Sequence, residues 1–132
     1  MATKLTAIRK LRPELKRMRT MQMPALVRLI ARSTGLNEGG IRHVTYELRD
    51  SIAITAQHGQ AVKVEGLGTF APVLRSDGSL AVSFRPDRTL LNQLNSEKFD
   101  APVINRDNIG KSPAELVALW NKTHPEDPVA GG

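Results

Sequence analysis

The sequence has 132 residues, is 40% apolar and carries a net charge of +6, with three Phe, one Tyr and one Trp. That allows one domain with a modest aliphatic core, a size at which sheet-bearing chains often finish their interior by dimerising. With no cysteine, disulfides and thiol chemistry are excluded. No run approaches the ~20 apolar residues of a membrane span, and no apolar stretch of about 7–15 residues follows the basic start as a secretory signal would. The expectation is a soluble, cytoplasmic protein without membrane contact.

The positive charge is concentrated at one end. Residues 1–32 hold nine Lys/Arg against one acid, Glu14, whereas the remaining residues hold ten against twelve. A basic stretch attached to a near-neutral body suggests a polyanionic partner, most often nucleic acid. A solvated, solubilising tail is the competing reading.

Residues 1–23 are read as a basic N-terminal segment. Leu5, Ile8 and Leu11 have helical spacing, although Lys4–Ala7 fits a strand equally well. Arg12 precedes Pro13 and is biased to extended backbone. From Pro24 the pattern sharpens. Pro24 suits the first turn of a helix, and Leu26, Val27, Leu29, Ile30 and Ala31 form an apolar stripe that Ser33-Thr34-Gly35 stops. Asn37 caps a second, longer helix through Ile41, Val44, Leu48, Ile52 and Thr55, with Gly59 just past its end.

Val62 and Val64 then alternate with Lys63 and Glu65, the period of a half-buried strand. Gly66 and Gly68 bracket Leu67, and a second strand starts at Thr69-Phe70. Ser76-Asp77-Gly78-Ser79 is a turn signal, and Leu80, Val82 and Phe84 return with period two. Three antiparallel strands cannot bury an apolar face unaided, and the two helices supply the missing cover. Leu90, Leu91 and Leu94 mark a short third helix. Residues 96–132 form a C-terminal extension. It is polar and extended to Gly110, with Phe99, Val103 and Ile104 as anchors. A helix then opens on Ser112-Pro113-Ala114-Glu115, carries Leu116, Leu119 and Trp120 on one face, and precedes a disordered tail from Glu126.

The stretches LVRLIARSTGLNEGGIRHV, HGQAVKVEGLGTF and FRPDRTLLNQLN occur here in this order. Together they resemble the HU/IHF family of bacterial histone-like DNA-binding proteins over roughly Pro24 to Asn95. The resemblance implies an α+β fold in which two chains intertwine. Helices form the base, and paired three-stranded sheets make a saddle over double-stranded DNA in the bacterial nucleoid. It implies a homodimer interface at Phe70, with Leu48, Ile52, Phe84, Leu90 and Leu94. Basic positions at the saddle edge fall on Arg85 and Arg88, with Gly68 beside them and Arg75 at the hairpin base.

Departures from the family also carry information. Arg75–Ser79 closes the hairpin directly, so the long arms and their tip proline are missing, and kinking by a wedge is not expected. Met23 and Glu38 stand where the family often has Lys. What remains is phosphate contact without base readout. Lys4, Arg9, Lys10, Arg12, Lys16, Arg17 and Arg19 are expected to replace the arms as a flexible strap along the duplex. Lys63 is read as inert. The alternative is a dimerisation or protein-interaction module, with the Ser112–Thr123 helix and tail meeting a protein partner. Single-stranded binding is disfavoured because no aromatic stacking platform is apparent. No enzyme, cofactor or metal site is expected, since His43, His58 and His124 lack ligand spacing.

Overall fold

The computed structural model describes residues 1–130. The chain divides into two compact units. Thr20–Phe99 forms one, and Met1–Arg19 joins the chain from Asp100 onward to form the other.

In the first unit, α2 (Met23–Thr34) starts with Pro24 in its first turn and stops at Gly35, whose φ of 76° is the left-handed conformation that glycine takes without a Cβ penalty. The longer α3 (Glu38–Gln57) opens on Asn37, whose Oδ1 accepts the Gly40 N–H at 3.2 Å. Strands β2 (Val62–Val64), β3 (Gly68–Leu74) and β4 (Leu80–Pro86) form an antiparallel sheet in the order β2-β3-β4. The hairpin between β3 and β4 is tight. Gly78 N–H donates to Arg75 O at 3.0 Å, and Arg75 N–H donates to Ser79 O at 2.8 Å. Gly78 takes the left-handed position that a three-residue loop of this kind needs. The short α4 (Arg88–Leu94) is capped by Asp87, which accepts the Thr89 N–H.

Register sorts the sheet into two faces. Val62, Phe70 and Phe84 align across the three strands, as do Val64, Gly68 and Pro86. The Phe70 and Phe84 rings meet at 4.9 Å between centroids. On the opposite face Lys63, Thr69 and Arg85 align. Little of the apolar surface is closed within one chain. The buried hydrophobic side chains of this unit are Val27, Ile41 and Ala56, whereas Val44 is 66% exposed and Leu94 63%.

The second unit revises the expectation of a free basic strap and a disordered tail. Helix α1 (Lys4–Leu11) is capped by Thr3, whose Oγ1 accepts the Thr6 N–H. It packs on α5 (Pro113–Thr123), and Ala7, Val117, Trp120 and Val129 form the core with Ala2, Ile8 and Leu11 against it. The buried stripe of α1 is therefore centred on Ala7, at 0% exposure, and the expected Leu5 lies outside it at 72%. A small residue at the contact lets the two helices approach closely. The two-residue strands β1 (Glu14–Leu15) and β5 (Val103–Ile104) pair antiparallel, and a 3-10 turn spans Arg106–Asn108.

Residues 126–130 are tied down. Ala2 pairs with Val129, Val129 N–H donates to Asn121 Oδ1 at 2.7 Å, and Trp120 Nε1–H donates to Asp127 O at 2.7 Å. The Met1 amine lies 3.4 Å from Asp127. The rest of the expected tail, Gly131 and Gly132, lies outside the described residues. Ser112 caps α5 as read, accepting the Glu115 N–H at 3.2 Å. Phe99, expected as an anchor, is exposed. Among the described residues no helix is long and apolar enough to cross a membrane.

Candidate nucleic-acid interface

The face of the sheet opposite the phenylalanines carries an open groove of about 450 Å³, lined by Lys63, Thr69, Ala71, Ser83, Arg85, Asp87 and Arg88. Strand alternation creates it. Lys63 on β2 and Arg85 on β4 both pair with Thr69 on β3, which places two cations at the ends of one cross-strand row, about 10 Å apart at the usual strand spacing. Small side chains, Ala71 and Ser83, form the next row and keep the middle of the groove low. Arg88 begins α4 at the groove's rim.

Asp87 is the one carboxylate in this lining. Hydrogen bonding from the Thr89 backbone N–H holds its pKa below the ordinary value, and the Lys63 charge adds to the effect. Its oxygen is thus occupied in capping α4, and among the described residues it forms no ion pair with Arg85 or Arg88. Both guanidinium groups are exposed. At the hairpin tip Asp77 is likewise held below its ordinary pKa, chiefly by the Ser79 hydroxyl and then the Ser79 N–H.

A family model described as an HU domain fused to wHTH, Ig, or glycine-rich motif matches residues 5–81, more than half of the chain. The chain belongs to this HU family. A point mutant of HU from Thermotoga maritima, a solved structure, is similar at 18% identity and a TM-score of 0.48, covering 56% of this chain and 99% of that chain. No curated protein matches. The HU match begins inside α1 and ends inside β4, so Arg85 and Arg88 lie just beyond it.

The sites expected from sequence fall in three places. Arg85 and Arg88 line the groove, and Arg75 sits exposed at the tip of the same hairpin. Gly68 is a correction: it is buried, and a Cβ there would lie 2.5 Å from Arg85 O and from the Phe84 ring. Its smallness leaves room beside β3 for the Arg85 carbonyl and the Phe84 ring, so close packing, rather than approach to a phosphate, explains the glycine. Lys4, Arg9, Lys10, Arg12, Lys16, Arg17 and Arg19 belong to the other unit. Lys10 Nζ lies 5.5 Å from the Trp120 ring centroid and is partly engaged there.

Lys63, dismissed from sequence, is the groove residue that sequence reasoning missed. Its alternation with Val62 and Val64 shows that it faces solvent, but only the strand register puts it in line with Arg85. The interface expectations are distributed too. Leu48, Ile52, Phe70 and Val82 line an apolar groove of about 440 Å³ in this unit, and Phe84, Leu90 and Leu94 remain exposed or half-buried. A second apolar groove of about 510 Å³ lies between α2 and α3, lined by Ile30, Leu36, Ile41 and Val44. Among the described residues no cluster of His or acidic side chains could hold a metal ion.

Proposed function

We propose that the HU-type unit pairs with a second copy of itself and holds double-stranded DNA against the outer face of the sheet, as a nucleoid-associated protein of the bacterial cytoplasm. The observation that carries this reading is the row Lys63–Thr69–Arg85 with Arg88 at its rim: three cations on a shallow surface, against the single, already engaged Asp87. Cations spaced along a groove with no apolar wedge contact phosphate oxygens and do not read base edges. The duplex is therefore bound without sequence preference and bent weakly, because no tip proline is present to enter a base step. No catalytic step is assigned to the chain.

Pairing follows from the open apolar surface. A unit that closes so little of its own core is marginal alone, and the face bearing Leu48, Ile52, Phe70 and Phe84 needs apolar cover. A second copy meets that need with the same residues, as a two-fold interface requires.

Titrating a labelled duplex of mixed sequence across a salt series, with light scattering on the free protein, tests both parts. Phosphate-driven binding weakens with salt by a slope of about −0.9 per neutralised phosphate, and the free protein elutes as a dimer. Salt-independent binding would overturn phosphate contact as its basis, and no binding at all would leave a pairing module without DNA contact.

A further inference from the structure

The carboxyl end of α1 is completed by residues from the far end of the chain. Asn105, in left-handed backbone with φ of 58°, donates its side-chain N–H to Lys10 O at 2.7 Å and to Arg12 O at 3.1 Å. Asn108, buried, donates to Leu11 O at 2.7 Å and accepts from Lys111 Nζ at 3.0 Å. The free carbonyls that end a helix are thus satisfied by amides. The cations around them have no such duty. Among the described residues Arg9, Arg12 and Arg106 make no side-chain hydrogen bond or ion pair, and all three are exposed.

Folding therefore brings Arg106 next to the end of α1, where Arg9 and Arg12 already lie. The acids closest in sequence, Glu14 and Asp107, form no ion pair among the described residues. An unengaged guanidinium presents a planar fork that fits phosphate oxygens in pairs.

We infer that the terminal unit carries a second phosphate-binding surface for double-stranded DNA, formed by Arg9, Arg12 and Arg106 where the two ends of the chain meet. The inference rests on the DNA-binding reading of the sheet and extends it: two contact surfaces on one chain raise the effective concentration of each for the duplex. The basic start of the sequence then acts as part of a folded surface.

The test uses the full chain and the same labelled duplex across a salt series. The triple substitution Arg9→Ala, Arg12→Ala, Arg106→Ala is expected to reduce the salt slope by up to about 2.7, and replacement of all three by Lys to preserve most of it. Trp120 emission reports whether the unit stays folded. Should the triple variant lose its fold, Arg106→Ala alone, outside the helix, is expected to reduce the slope by about 0.9. An unchanged slope in folded protein overturns the inference. If Arg85→Ala, Arg88→Ala lowers the slope while these substitutions do not, only the second surface falls. If the unsubstituted protein does not bind duplex, both readings fall.

Discussion

Lys63 and Arg85 stand on the two outer strands of the sheet, each paired with Thr69 between them. The row is a geometric product of strand register, and it makes Lys63 a member of the proposed contact surface. Replacing Lys63 by Ala is expected to lower the salt slope of duplex binding by about 0.9 and to leave folding intact, since the side chain is exposed. A fluorescence titration of labelled duplex over a salt series reads the change.

Gly68 sets how closely β3 approaches β4. A methyl group there would fall 2.5 Å from the Arg85 carbonyl oxygen, which is backbone and cannot swing aside. Gly68→Ala is expected to destabilise the unit by about 1–3 kcal/mol, the usual range for forcing atoms into a packed site. Urea unfolding followed by circular dichroism measures it. A variant of unchanged stability would show that the strands shift at no cost.

Two carboxylates, Asp77 in the hairpin turn and Asp87 capping α4, link local structure to pH. Asp77 and Asp87 both have folded-state pKa values below the ordinary 3.8, through the Ser79 hydroxyl and the Thr89 N–H respectively. Depressed folded values mean that their contribution is fully present above the unfolded pKa and is lost as pH falls through the lower, folded one. The hairpin and the start of α4 are expected to loosen only under acidic conditions below about pH 4, visible by carboxylate-detected NMR titration. Asp87→Asn keeps a capping oxygen while removing a negative charge from the groove, so it is expected to tighten duplex binding at low salt.

In the terminal unit Asn108 joins α1 to the 3-10 turn by its bond to Leu11 O. Asn108→Ala leaves that carbonyl without its partner and is expected to cost about 1–3 kcal/mol. The readout is the thermal midpoint followed by Trp120 emission, since Trp120 sits in this unit's core.

What the sequence made legible follows from the range of the interactions. The Asn37 cap, the Gly35 and Gly59 stops and the Asp77-Gly78 turn are local chemistry, and each acts where its residue type points. The sheet faces follow from alternation of period two. The terminal unit could not be read this way. Its defining contacts join residues 95 and 97 positions apart, and nothing near Lys10 announces that Asn105 will cap it. The helix spacing of Leu5, Ile8 and Leu11 pointed to an element but placed Leu5 on the wrong side, because Ala7 is the residue small enough to lie against α5. At the candidate site Arg85 and Arg88 were legible through family resemblance. Lys63 needed the register, and Gly68 needed the position of the Phe84 ring.

The central claim is that cations on the outer sheet face hold the phosphate backbone. It is tested most directly by comparing the salt slope of duplex binding for the unsubstituted protein and for Arg85→Ala, Arg88→Ala, with light scattering confirming that both have the same oligomeric state. Each guanidinium that neutralises a phosphate contributes about 0.9, so the expected loss is up to about two units of slope. The same slope and affinity in both proteins would contradict the account.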